Sequence, residues 1–170
     1  LSKNLLGKKE TVEMQIGKNH ITVTFGDDTV HSRIIDERYP DYESVIPTNN
    51  DKTLTINTQE IISTVRRVSI FSNRTTQQIA IKMDKDVLEI TTEDPEKATR
   101  AKEKLTGEYS GEPIVIGYNA LYLKELLSYI SSKNVVLKLN TSISATVFFP
   151  EETEDGRETT MLLMPIRLND

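Results

Sequence analysis

The sequence predicts an α+β fold in which two amphipathic helices are set among many short β-strands. Much of the chain consists of short runs in which apolar and polar residues alternate, as in half-buried strands. Two windows instead repeat apolar residues every three or four positions, and each window follows an asparagine that can cap a helix. Separate parts of the chain also repeat one order of elements, which indicates an array of similar domains.

The first part of the chain predicts the end of a helix followed by three strands. Residues 1–6 (LSKNLL) are helix-like, and Gly7 suits a C-terminal cap. Because the chain starts inside this helix and not at a methionine, we interpret it as a fragment. Alternating apolar residues predict strands over 12–16, 21–25 and 29–35. Residues 38–47 (RYPDYESVIP) contain two prolines and little periodicity, so we interpret them as an interdomain linker.

A complete helix is predicted after a short strand over residues 54–56. Asn57 and Glu60 have the spacing of a capping box. The helical periodicity places one set of apolar residues on a core face: Ile61, Ile62, Val65 and Val68. The opposite face carries polar and basic residues: Gln59, Ser63, Arg66, Arg67 and Arg74. Ile70 falls on that polar face and Phe71 at its edge, so packing in the core does not explain this pair.

The rest of the chain predicts further strands and a second helix. Strands are expected over 78–83 and 87–92, a charged edge strand over 96–109, and another strand over 114–118. Asn119 begins a helix that extends to about residue 130, with a core face made of Ala120, Leu123, Leu126, Leu127 and Ile130. Three strands over 135–139, 144–149 and 159–168 close the chain, and residues 151–158 form a solvated acidic hairpin loop.

Two segments of the chain repeat the order helix end, strand, tight turn, strand. They are residues 1–25 and residues 122–148, and their apolar positions align with the turn offset by about one residue. Val12, Met14, Ile16 and Phe25 correspond to Val135, Leu137, Leu139 and Phe148. The repeat predicts that the chain contains half of one domain and all of the next.

Composition narrows the class of function. No cysteine is present, so disulfides and thiol chemistry are excluded. The two histidines, His20 and His31, have no metal-ligand spacing, and no glycine-rich phosphate loop or nucleophile motif occurs. We therefore predict no catalytic residues, no metal and no cofactor. The lack of cysteines fits a cytoplasmic protein. No apolar run has the length needed to span a bilayer and no signal peptide is recognised, so no membrane contact is predicted.

Two features stand out from this background, and each has two interpretations. The basic residues Arg66, Arg67, Arg74 and Lys124 form either an ordinary solvated helix face or a weak contact for nucleic acid, since a net charge of −5 excludes a wholly basic surface. The tail MLLMPIRL, residues 161–168, is either a core strand or an apolar surface for a partner. Pro165 cannot donate to a ladder, so regular pairing should fail there.

Three motifs resemble those of the bacterial DNA polymerase III β sliding clamps. RYPDYESVIP over residues 38–47 resembles the linker between their second and third domains. GYNALY over residues 117–122 is similar to their strand-to-helix junction, and LMPIRL over residues 163–168 is similar to their C-terminal end. The motifs occur in the family's order and spacing, and the similarity covers nearly the whole chain.

The resemblance implies DNA-clamp domains, each with two helices packed on antiparallel sheets. Residues 1–45 would be the C-terminal half of clamp domain 2 with its linker, and residues 46–170 a complete domain 3. In the family, head-to-tail dimers form a ring around duplex DNA, which implies a non-catalytic processivity factor. Its partners would be DNA, a second copy, and the replicative polymerase, clamp loader and repair proteins through short linear motifs. The rivals are a non-catalytic half of an unknown enzyme and a plain structural module.

The resemblance also assigns roles to individual residues. A partner-peptide pocket would comprise Pro40, Val45, Thr76, Asn119, Tyr122, Ile143, Leu162, Leu163, Met164, Pro165, Ile166, Arg167 and Leu168. This chain departs from the family pattern at Ser44, where a basic residue is common, and at Thr76, where an aromatic residue is common. The ring interface maps to Ile70 and Phe71, the pair left unexplained by the helical periodicity. DNA would face Arg66, Arg67, Arg74 and Lys124.

Overall fold

The computed structural model describes residues 11–153 and 158–168, which fall into two compact units, Leu1–Asp41 and Tyr42–Asp170. The helix end predicted over residues 1–6 lies outside the described residues. In the first unit, strands β1 (Glu13–Ile16), β2 (His20–Phe25) and β3 (Asp28–Arg33) form an antiparallel sheet in that order. The three predicted strands are therefore confirmed, although the third ends at Arg33.

The apolar residues of the first unit differ in burial. Val23 and Phe25 on the central strand are buried. Met14 and Ile16 on the edge strand β1 are exposed, whereas the residues aligned with them in the predicted repeat, Leu137 and Leu139, are buried. Both segments do form an antiparallel hairpin, so the repeat holds for strand order within the described residues and not for burial.

The second unit contains two antiparallel sheets and both helices. Along the chain the elements are β4 (Lys52–Asn57), α1 (Thr58–Ser69), β5 (Gln78–Asp84), β6 (Val87–Asp94), β7 (Thr99–Thr106), β8 (Glu108–Ser110), β9 (Ile114–Asn119), α2 (Ala120–Leu127), β10 (Asn134–Leu139), β11 (Thr146–Pro150) and β12 (Met161–Leu163). The four-stranded sheet has the order β7-β6-β5-β9 and the five-stranded sheet the order β12-β11-β10-β4-β8. This arrangement confirms the predicted α+β class.

Each helix begins directly at the end of a strand because an asparagine caps it. The Asn57 side chain accepts hydrogen bonds from the backbone N–H groups of Gln59 and Glu60, each at 3.0 Å. The cap satisfies N–H groups that have no partner within the helix. Helix α1 then packs against α2 and against strands of both sheets. The predicted core positions Ile61, Val65 and Val68 are fully buried, and Ile62 is half-buried.

The edge strand predicted over residues 96–109 is confirmed for residues 99–106 but is wrong as one continuous strand, because the chain changes sheets within the predicted range. Strand β7 forms the edge of the four-stranded sheet, and β8 pairs with β4 in the other sheet. Gly107 lies at the crossing, where an added Cβ would come within 3.1 Å of the Thr55 carbonyl oxygen. A residue without a side chain lets the two strands approach at this point.

The last two predicted elements are shorter than expected. Helix α2 ends at Leu127, and residues 128–130 continue as a turn in which the Ile130 N–H donates to the Leu127 carbonyl at 3.1 Å. The strand predicted over 159–168 pairs regularly only over Met161–Leu163. Pro165 lies just after this strand, so the prediction that regular pairing fails at Pro165 is confirmed. Residues 154–157 of the predicted acidic loop lie outside the described part of the chain.

Candidate functional site

The C-terminal tail, defined as residues 161–168, crosses between the two sheets of the second unit. Its strand β12 pairs with β11, where Leu163 lies opposite Thr146. Beyond Pro165, Ile166 forms an antiparallel bridge to Gly117 on β9, and its N–H donates to the Gly117 carbonyl at 2.9 Å. The tail therefore joins the β11–β12 edge of one sheet to the β9 edge of the other.

Gly117 is the point at which two of the sequence motifs meet. An added Cβ on Gly117 would lie 2.6 Å from the Ile166 carbonyl oxygen and 2.7 Å from Cδ2 of Leu168. No side chain fits at those distances without moving the tail. The glycine of the GYNALY motif is thus needed for the path of the LMPIRL motif, a link that no local pattern in the sequence reveals.

A buried hydrogen bond lies next to this crossing. The Tyr118 hydroxyl and the Thr146 hydroxyl are 2.5 Å apart, and both residues are fully buried. Burial raises the pKa of Tyr118 well above its ordinary value, so the phenol stays protonated. Since Tyr118 lies on β9 and Thr146 on β11, this bond fixes the two sheets to each other beneath the tail.

Asn119 holds the start of α2, and its side chain is used within the fold. Its oxygen accepts hydrogen bonds from the N–H groups of Leu121 and Tyr122 at 2.9 and 3.3 Å. Its Nδ2 donates to the carbonyl of Thr76 at 3.2 Å. Asn119 and Thr76, both predicted pocket residues, are therefore neighbours. The contacts of Asn119 support a role in placing Tyr122.

An apolar groove of about 330 Å³ lies between α2 and β12. Of the predicted pocket residues it contains Tyr122, which is 62% exposed, together with Leu162 and Leu163. Its other lining residues were not predicted for the pocket: Glu125, Leu126, Tyr129 and Met161. The spacing of Tyr122, Glu125, Leu126 and Tyr129 is that of one helix face, a signal that could have identified them.

Other predicted pocket residues lie elsewhere in the second unit. Thr76 and Leu168 line a separate groove of about 740 Å³ beside strands β5 and β6. Ile143 is exposed in a turn closed by a 2.9 Å hydrogen bond from the Thr141 N–H to Oγ of Ser144. Met164 and Arg167 are exposed, while Pro165 and Ile166 are half-buried.

The linker residues of the predicted pocket belong to different units. Pro40 is exposed in the first unit, and Val45 is exposed in a 3-10 turn, Glu43–Val45, of the second. Beyond this turn, Nδ2 of Asn50 donates to the carbonyl of Lys138 at 2.8 Å and to that of Ala145 at 3.3 Å. The chain after the linker is thereby attached to the five-stranded sheet.

The predicted basic face is only partly continuous. Arg66 is exposed on α1, and Lys124 is half-buried on α2. The prediction that Arg74 lies on the polar face of α1 is wrong, because α1 ends at Ser69 and Arg74 follows in a turn. Arg67 forms an ion pair with Glu103, in which its Nη2 lies 2.6 Å from Oε2.

Ile70 and Phe71 are surface residues, 74% and 43% exposed. The loop that carries them is held by the β6–β7 turn: Thr99 Oγ1 donates to the Phe71 carbonyl at 3.2 Å, and Asn73 Nδ2 donates to Asp94 at 3.3 Å. Burial acts to raise the pKa of Asp94, but hydrogen bonds from Lys97 and Asn73 outweigh it and lower the pKa. This turn holds an exposed apolar pair in a defined position.

Within residues 11–153 and 158–168, no group of three or more His, Cys, Asp or Glu side chains could hold a metal ion. In the same part of the chain, none of the helices has the length and apolar character needed to cross a membrane.

Comparison with known proteins gives one consistent family. Residues 43–167 match the family model described as DNA polymerase III beta subunit, C-terminal domain. The chain is 30% identical over 168 residues to the Beta sliding clamp of Pseudomonas aeruginosa and 31% identical to that of Escherichia coli. Each alignment covers 99% of this chain but 45% of the relative, so the chain spans less than half the length of these curated relatives.

Solved structures of similar proteins have the same fold as this chain. The crystal structure of the DNA polymerase III subunit beta from Pseudomonas aeruginosa has a TM-score of 0.83 at 30% identity, covering 96% of this chain and 44% of that one. The sliding clamp from Bartonella birtlesii bound to griselimycin has a TM-score of 0.81 at 28% identity, covering 92% of this chain and 41% of that one. Since the family model covers most of its length, the chain belongs to the family of the DNA polymerase III beta subunit, C-terminal domain.

Proposed function

We propose that this chain is the C-terminal part of a sliding clamp, a non-catalytic cytoplasmic processivity factor that encircles duplex DNA and tethers polymerase and repair proteins. The observation that carries the proposal is the tail crossing at Gly117, which joins two family motifs in one place beside an exposed apolar groove. A ring stays on DNA by its topology, so its phosphate contacts can be few and weak.

The proposed domain organisation assigns residues 1–45 to the second half of one clamp domain with its linker, and residues 46–170 to the next domain. Two observations support a boundary inside the linker. The compact units divide between Asp41 and Tyr42, and the family model begins at residue 43. The organisation implies that a longer chain supplies the other domains of the ring.

The proposed partner site is the exposed apolar surface beside the tail. Tyr122 on α2, Met164 in the tail and Ile143 in the turn before β11 are each more than half exposed, so each can offer an apolar contact to a partner. A short motif of the Gln-Leu-x-Leu-Phe type would place a leucine-sized side chain there. Burying one such side chain contributes about 1.5–3 kcal/mol. A pentapeptide that buries its other apolar side chains as well should bind in the roughly micromolar range. The polymerase, clamp loader and repair proteins would share this site.

Met164→Ala is expected to weaken binding of a fluorescent Gln-Leu-x-Leu-Phe peptide by about tenfold, because truncation removes a flexible, adaptable contact. Met164 is 58% exposed and follows the paired part of the tail, so the variant should keep its fold. Fluorescence anisotropy measures the affinity, and circular dichroism checks the fold.

Val87→Ala is the matched control, since Val87 is 48% exposed at the start of β6, apart from both the tail and the groove. It should leave the peptide affinity unchanged. Equal affinity of a folded Met164→Ala variant and the wild type would contradict the assignment of the tail to the partner site.

We propose that Ile70 and Phe71 contribute to the ring interface. Both are exposed on a loop held by Asp94 and Thr99, so their side chains offer an apolar contact to a second copy. In a protein extended to the length of its relatives, Ile70→Ala with Phe71→Ala should raise the dimer dissociation constant at least about tenfold.

Analytical ultracentrifugation of the extended protein measures this constant. The same double substitution in the 170-residue chain should change the melting temperature little, because exposed side chains contribute little to folding. A large loss of melting temperature would assign the pair to the core and contradict the interface.

A further inference from the structure

The ion pair between Arg67 and Glu103 involves one of the basic residues of the proposed DNA-facing surface. Nε of Arg67 donates to Oε1 of Glu103 at 2.9 Å, and Nη2 donates to Oε2 at 2.6 Å. Nη2 also donates to Oγ1 of Thr64 at 3.0 Å. A guanidinium bound by both carboxylate oxygens and a hydroxyl has a fixed orientation. Hydrogen bonding to Arg67 lowers the pKa of Glu103, so the carboxylate stays charged at neutral pH.

The position of Glu103 follows from the sheet register. Glu103 lies opposite Ile90, a buried core residue, so its side chain leaves β7 on the face that α1 covers. Glu89 on β6 pairs with Lys104 and leaves the opposite face, where it contacts Nζ of Lys102 at 2.7 Å. The two glutamates thus form similar ion pairs on opposite sides of one sheet.

Arg66 and Arg67 are adjacent in sequence but differ in their charge environment. Both are exposed on α1. Within the described residues, Arg66 forms no ion pair, whereas the charge of Arg67 is neutralised by Glu103. A carboxylate at this distance competes with a phosphate oxygen for the same N–H groups, and it cancels the field of the guanidinium beyond a few ångströms.

We propose that Glu103 is a positioning residue that competes with DNA phosphate for Arg67 and so weakens the contact of this surface with duplex DNA. The inference rests on the proposed function and adds to it a means of limiting affinity: Arg66 is available to phosphate directly, whereas Arg67 is available only when the Glu103 carboxylate is displaced. For a ring that moves along DNA, a limited phosphate contact allows movement without loss of the contact.

The test measures binding of a short fluorescein-labelled DNA duplex by the 170-residue chain at low ionic strength. Glu103→Gln should raise the affinity about two- to fivefold, the range by which exposed ion pairs change an equilibrium. Glu103→Ala, which also removes the hydrogen-bond acceptor, should raise it at least as much. One additional phosphate contact should steepen the dependence of log affinity on log salt by about 0.9.

Glu89→Gln is the control for net charge, because it removes one carboxylate from the opposite face of the same sheet. It should change the affinity by a smaller factor and leave the salt dependence as in the wild type. In an Arg67→Ala background, Glu103→Gln should have no more effect than Glu89→Gln. Thermal melts establish that each variant is folded.

Each other outcome has a definite meaning. If the Glu103→Gln and Glu103→Ala variants bind DNA no more tightly than the Glu89→Gln variant, the competition is refuted while the clamp proposal stands. The same conclusion follows if the substitutions at Glu103 raise the DNA affinity by the same factor in the Arg67→Ala background. If the wild type shows no salt-dependent binding and Arg66→Ala changes nothing, the DNA-facing surface itself is refuted, and the inference with it.

Discussion

Replacing Gly117 by alanine is expected to lower the free energy of unfolding by about 1–2 kcal/mol and to abolish peptide binding. The new Cβ would lie 2.6 Å from the Ile166 carbonyl oxygen, and such overpacking costs about 1–3 kcal/mol. Alanine also reduces the entropy of the unfolded chain, which raises the free energy of unfolding by about 0.4–1 kcal/mol. The clash is the larger effect, so the tail must shift or the protein loses stability.

Two measurements cover both possible responses. Urea denaturation reports the stability, and anisotropy with the labelled peptide reports the site. Gly17→Ala is the control, since its Cβ would meet the His20 carbonyl oxygen at 3.2 Å in the β1–β2 turn of the other unit. If the Gly117→Ala variant keeps both wild-type stability and wild-type affinity, the tail does not depend on this close approach.

Leu123→Ala is expected to lower the free energy of unfolding by about 2–5 kcal/mol, because Leu123 is fully buried and its loss leaves a cavity. Domains of this size are stable by only about 5–15 kcal/mol, so the variant should lose a large part of its stability. The same substitution loosens α2, which carries Tyr122, and should weaken peptide binding as well.

Leu121→Ala is the matched control on the same helix. Leu121 is 46% exposed, so truncation should change stability by no more than about 0.5 kcal/mol. Thermal and urea denaturation of the two variants compare the two faces of α2 directly. Similar losses in both variants would mean that α2 does not pack through the face that carries Leu123.

Local patterns in the sequence determined most secondary structure. The caps at Asn57 and Asn119 and the helical spacing of apolar residues located both helices, because these signals act within a few residues. The alternation of apolar and polar residues located most strands, because this signal also acts within a few residues. Ile70 and Phe71 were found to be exposed, as their place off the apolar face of α1 suggested.

The pocket assignments rested on the family resemblance, and their role in binding stays a prediction. Asn119 is predicted as a helix cap from its place before the helical periodicity and as a pocket residue from the resemblance. Its hydrogen bonds to Thr76, Leu121 and Tyr122 favour the cap. The groove residues Glu125, on α2, and Tyr129, in the turn after it, were missed because exposed side chains at such positions are usual on a protein surface.

What the sequence by itself determined is the set of local elements and the motifs that identify the family. The tertiary structure alone decided where distant segments meet: the change of sheet at Gly107, the crossing of the tail over Gly117, and the pairing of Arg67 with Glu103. These contacts join residues far apart along the chain. Their partners follow from strand order and register, which depend on the packing of the whole core and not on any local run of residues.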